Sequence, residues 1–185
     1  MKNPQAHEFL RAWREVTAIR RDDLLANWSA NLTKYTSIIQ KDKGCVIDEV
    51  AQKLNLKSYN EYYSTDAFLY SEEDLVSDVN PGQKWFRGIK VAFEHEHIYN
   101  KRLYEEISHL LILHSELSVL VTYPPPGDFR HLEHLDYFHS IIQGSPRAEE
   151  LDENENFLLI FGYRDPLEWK GLVYKNDWWE EIAAP

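Results

Sequence analysis

The chain has one cysteine, one methionine, seven glycines and no apolar run near the ~20 residues that span a bilayer. Each scarcity excludes something. A lone Cys45 cannot close an intramolecular disulfide, so burial must hold the fold, and a reducing cytoplasm is the expected setting. Met1 to Arg21 is charged and amphipathic and lacks the apolar segment of a secretory signal, and no membrane association is expected. There is no glycine-rich phosphate loop, and no glycine-framed elbow surrounds Ser108 or Ser118, which argues against P-loop and nucleophilic-triad chemistry. Basic charge is also short. Twenty Lys and Arg stand against 31 Asp and Glu, a formal net charge of −11, which argues against tight non-specific polyanion binding while leaving room for a local basic patch.

What is present suits a sizeable core: 43% of the 185 residues are hydrophobic, and 28% are charged. One domain, 1–185, is expected, with a helical part over 1–57 and a sheet-containing core over 58–185. Phe9, Leu10, Trp13, Val16 and Ile19 recur at helical spacing, continued by Leu24, Leu25 and Trp28. A second helix is expected over 31–40 and a third on the stripe Val46, Ile47, Val50, Ala51 and Leu54. Aromatic, β-rich residues from Tyr62 to Tyr70 predict one strand, and a turn at Asn80-Pro81-Gly82 leads to another over 85–96. A helix over 100–115, a buried strand from Leu117 to Tyr123, a helix over 128–143 and strands over 157–163 and 170–175 follow. A helix joining two strands calls for a crossover. The class is α/β, a mixed sheet with flanking helices. The acids from Glu149 to Glu155 read as a solvated loop, and Trp178-Trp179 as a subunit contact compatible with a homo-oligomer.

The most informative segment is Ile89-Lys90-Val91-Ala92-Phe93-Glu94-His95-Glu96-His97. Strand alternation puts Ile89, Val91, Phe93, His95 and His97 on one face and Glu94 with Glu96 on the other. Two carboxylates so placed repel unless water, a cation or a basic group lies between them. Sheet pairing can bring Asp66, one strand earlier, to the same place. Three such oxygen donors suit Mg²⁺ or Mn²⁺, which lower the pKa of bound water and stabilise charge on a phosphoryl oxygen. Glu49, or its neighbour Asp48, is placed to add a fourth carboxylate to Asp66 and Glu94 as a metal ligand.

This order, an acid in one strand, then Glu-x-Lys or a variant ending the next, then a helix and a buried strand, resembles the PD-(D/E)xK nuclease superfamily over roughly 47–123. The resemblance implies a restriction-endonuclease-like core and metal-dependent hydrolysis of a nucleic-acid phosphodiester, with Asp66, Glu94 and Glu96 in the motif positions. The family's third residue is usually a lysine that helps activate the attacking water; here it is Glu96, as in some restriction endonucleases of the superfamily. Thr65 stands where the motif's proline would be. Lys90 shares the face of Glu94 but lies ~13 Å down the strand, too far to replace the lysine.

Two other readings stay open. The net charge and the absent lysine suit a non-catalytic protein on the same scaffold, binding a protein partner as an acidic inhibitor or accessory subunit. His95 with His97, or His131 with His134 one helical turn apart, have ligand spacing for a transition metal, but each needs further donors.

Overall fold

The computed structural model describes residues 5–62, 64–76, 84–125 and 130–183. Its centre is a seven-stranded mixed sheet in sequential order, flanked by helices on both faces. Strands β1 (Lys57–Tyr62), β2 (Thr65–Tyr70) and β3 (Ile89–Glu96) form an antiparallel meander. β4 (Ser115–Thr122) and β5 (Phe157–Tyr163) continue it in parallel, and β6 (Glu168–Val173) and β7 (Glu180–Ile182) close it antiparallel.

Parallel β3 and β4 require a crossover, supplied by α5 (Tyr104–Ile112). Leu103, Ile107 and Leu110 bury its inner side on the sheet face that carries Phe68, Ala92, Leu120 and Leu159. α6 (Arg130–Gln143) and α7 (Ala148–Asn154) share that layer through Leu135, Phe138 and Leu151. The opposite face, with Ala67, Leu69, Val91, Phe93, Val119 and Ile160, is covered by α1 (Ala6–Ile19), α2 (Arg21–Asn27), α3 (Leu32–Thr36) and α4 (Val46–Lys53). The alternation along β3 therefore sorts side chains as its sequence predicts, except that Ile89, at the strand's start, packs with the α5 layer.

Several boundaries differ from the sequence reading. The single strand expected over 62–70 is a hairpin, with Tyr62 paired to Thr65 and Ser64 at φ +63. Without the Asn-Gly or Asp-Gly signal that usually marks such a turn, the two strands read as one. The first helix breaks at Arg20. α3 runs on into a π-helical turn, Ser37–Lys41. The strand expected from Trp85 starts at Ile89. Upstream, Phe86 makes only an isolated bridge to Leu75, and Gly88 lies where a Cβ would meet Asp74 Oδ1 at 2.9 Å. The acidic run after Arg147 is not a loop but α7, anchored by buried Leu151. Trp179 is buried in its own chain and its indole N–H donates to Leu135 O at 3.1 Å, while Trp178 is exposed. The Asn80-Pro81-Gly82 turn and the start of the helix at Asp128 lie outside the described residues. Among those described, no helix is long and apolar enough to cross a membrane.

Candidate functional site

β2–β3 pairing runs to Ala67↔Phe93, and the same register sets Asp66 opposite Glu94 at the end of the ladder. There side chains replace backbone bonding. The amide of His95 donates to Asp66 Oδ2 at 2.8 Å, and the amide of Asp66 donates to Glu94 Oε2 at 3.3 Å. The second oxygen of Glu94, Oε1, is buried and accepts no hydrogen bond from the described residues, and the residue is 2% exposed. A buried acceptor without a donor is costly.

The electrostatics follow. Burial first, then the neighbouring charges of Asp66 and Glu106, push the Glu94 carboxyl up to about 9. Burial also raises Asp66, opposed by the His95 amide, Gln40 and the charge of Lys41. Glu106 is raised by burial and by Asp66, Glu96 and Glu105, with His109 pulling the other way. At neutral pH the centre must hold either a proton or a cation.

Both helical layers reach this pair. From the N-terminal side the π-helical turn presents buried Gln40 to Asp66, and Lys41, whose amine is 2.6 Å from Glu61 on β1. π-helical turns recur at functional sites because they re-aim side chains without ending the helix. From the other side α5 supplies Glu106 and His109, one turn apart, with 3.7 Å between His109 Nδ1 and Glu106 Oε2. One donor atom each from Glu94, Glu106 and His109 lie within 4.8 Å of one another.

The sequence-derived candidates are distributed as follows. Asp66 and Glu94 are brought together. Glu96 is half-buried, its Oε1 accepts the amide of Ile98 at 2.8 Å, and it lines a cleft of ≈ 220 Å³ with Glu105, Glu106 and Arg102. Glu49 has Arg20 as its described partner, at 2.5 Å, rather than Asp66 or Glu94, and Arg20 also donates to Gly44 O. Asp48 accepts from Gly44 N at 2.9 Å and from Ser58 Oγ at 2.5 Å. Lys90 is turned to the far end of β3, 2.7 Å from Glu116 and 3.7 Å from Asp74.

Glu106, His109, Gln40 and Lys41 escaped the sequence reading as members of one site with Asp66 and Glu94. A Glu-x-x-His spacing on the helix after the motif strand was the available signal, but it points inward only once the crossover is docked.

On the opposite face, His95 Nε2 is 2.7 Å from the Tyr123 hydroxyl. His97 stacks on Tyr123, and Tyr35, Trp28 and Trp169 complete an aromatic box. Burial lowers both imidazoles, His95 well below its usual value. His95 is buried and His97 half-buried, both packed among these aromatic rings. Comparison with protein-family models and with curated proteins found no match to this chain.

Proposed function

We propose that the chain is a metal-dependent, nuclease-like hydrolase of nucleic-acid phosphodiester bonds, resembling the PD-(D/E)xK superfamily, with Asp66, Glu94 and Glu96 in the motif positions. One observation carries the reading. Asp66 in β2 and Glu94 in β3 meet at the end of one ladder, followed by helix α5 and buried strand β4, the order the motif requires. The donor set fits a divalent cation such as Mg²⁺ or Mn²⁺, because Glu94 keeps a buried oxygen with no donor among the described residues and has the carboxylates of Asp66 and Glu106 near it. When bound, such an ion polarises the phosphoryl oxygen and lowers the pKa of water. Asp66 and Glu94 would hold it. Glu96, standing where the family has lysine, or a metal-bound hydroxide near it, would take the proton of the attacking water. Buried, uncrosslinked Cys45 suits a cytoplasmic setting.

The test is cleavage of labelled single- and double-stranded DNA and RNA with Mg²⁺ or Mn²⁺, wild type beside Asp66→Asn and Glu94→Gln. Metal-dependent cleavage lost in both variants, with unchanged circular dichroism, supports the site. Equal cleavage in all three proteins removes it.

A second reading has its own support. Lys90 is engaged with Glu116 and Asp74, and Glu96 is an acid where an amine is usual. A non-catalytic protein using the same acidic sheet end to bind a basic protein partner fits that pattern. Absence of cleavage with every metal and substrate, together with a defined complex with such a partner, favours it.

A further inference from the structure

We propose that Glu94, Glu106 and His109 form a site for a divalent transition ion, Mn²⁺ or Zn²⁺, in preference to Mg²⁺. The inference rests on the same acidic centre as the hydrolytic reading, adds Glu106 and His109 to Glu94 as ligands, and does not require turnover.

The geometry begins with the crossover. Ile107 and Leu110 are fully buried and fix the rotation of α5 on the sheet. That rotation turns Glu106, one residue before Ile107, toward the end of β3, and His109 follows one turn later on the same side. Their donor atoms and one oxygen of Glu94 lie within 4.8 Å of one another. An ion with bonds of ~2.1 Å can bridge such a set with small side-chain movements. His109 is 49% exposed at its side chain and Glu106 26%, so both have freedom to adjust, whereas Glu94 is fixed in the core.

Glu94 supplies the independent observation. It is almost wholly buried, and its Oε1 has no hydrogen-bond donor among the described residues. A solvated acid would point that oxygen at water, and a structural acid would give it an amide or a cation. Lys41, whose charge reaches Asp66 from the N-terminal side, is instead paired with Glu61. The carboxylate that carries this oxygen has Glu106 and His109 within reach, and Asp66 opposite it on β2, an arrangement a cation resolves and a lone proton only partly does.

The donor types select the ion. Mg²⁺ favours oxygen ligands in near-ideal octahedral geometry and retains several waters. One imidazole with two carboxylates suits Zn²⁺ and Mn²⁺, and it leaves a coordination position for water or a phosphoryl oxygen.

The test uses the full chain stripped with chelator and titrated calorimetrically with MnCl₂, ZnCl₂ and MgCl₂. Wild type is compared with His109→Ala, Glu106→Gln and, as a control for surface imidazoles, His114→Ala. The expected result is one saturable site for Mn²⁺ or Zn²⁺ and weaker Mg²⁺ binding. His109→Ala and Glu106→Gln should each lower transition-ion affinity by on the order of 10–100-fold, and His114→Ala should leave it unchanged. His109 is half-exposed, so its replacement does not threaten folding. Wild-type affinity for Mn²⁺ and Zn²⁺ in both α5 variants overturns the proposal, as does a wild type that binds neither ion or prefers Mg²⁺. The hydrolytic reading fails separately, when cleavage is indifferent to Asp66→Asn while ion binding still depends on Glu106 and His109.

Discussion

Asp66 and Glu94 face one another across the last step of the β2–β3 ladder, and each carboxylate is bonded by a main-chain amide of the other strand. A buried acceptor, Glu94, and a half-buried one, Asp66, therefore sit where an ordinary sheet would have an apolar cross-strand pair. The arrangement costs stability, so its removal has measurable consequences.

With metal chelated away, Glu94→Gln should stabilise the protein. The folded-state pKa of Glu94 is raised to about 9. Its contribution to stability is complete below the unfolded value near 4.5, is lost as pH rises, and levels off above about 9. At pH 7 the gain from Glu94→Gln should be about 1–3 kcal/mol. Urea titrations in EDTA between pH 4.5 and 9 check this: wild type should weaken across the window more steeply than the variant. Parallel curves would mean that Glu94 ionises freely.

His95 gives a slope of opposite sign. Its folded pKa is depressed by burial, then by His97, so its stabilisation is present above the unfolded value near 6.5 and is lost as pH falls through and below it. The thermal midpoint should drop between pH 7 and pH 5. His95→Gln, whose amide can still reach the Tyr123 hydroxyl, should make the drop smaller. An unchanged drop would assign the acid sensitivity to other groups.

Lys90 separates structural charge from functional charge. Its amine lies 2.7 Å from Glu116 and 3.7 Å from Asp74, with little solvent around it. Lys90→Met should cost about 1.5–3 kcal/mol by leaving those carboxylates without their cation. It should not alter Mn²⁺ affinity. Weakened ion binding in a folded Lys90→Met protein would show that this lysine does reach the acidic centre.

Cys45 should be chemically silent. It is wholly buried, and burial pushes its thiol up to about 11. Ellman's reagent at pH 8 should label it only as fast as the chain unfolds, and one equivalent should react at once in denaturant. Immediate labelling of the native protein would contradict its buried place at the N-cap of α4.

The α/β class and the polarity of β3 were legible because they depend on local pattern: an apolar run, strict alternation, and acids at odds with it. Asp66 and Glu94 could be matched because neighbouring strands commonly pair. The β1–β2 hairpin was not legible, since Ser64 adopts a left-handed conformation with no glycine to advertise it. α7 was hidden because one buried leucine among acids gives no periodicity. Glu49 suited a metal by residue type alone; Arg20, freed by the break between α1 and α2, is its partner. Glu106 and His109 belong to the centre only through the docking of α5, a tertiary fact that sequence spacing does not encode.

The helical layers on the two sheet faces have separate apolar clusters. Yet Gln40 and Lys41 come to Asp66 from one layer, and Glu106 and His109 come to Glu94 from the other. A cation held at that seam would act as a rivet. Peeling α5 from the sheet would then forfeit the ion's binding energy as well as the apolar contacts, and folding stability would rise with the logarithm of free metal concentration. The charge repulsion that weakens the bare protein would become the means by which an ion fastens the helix to the sheet.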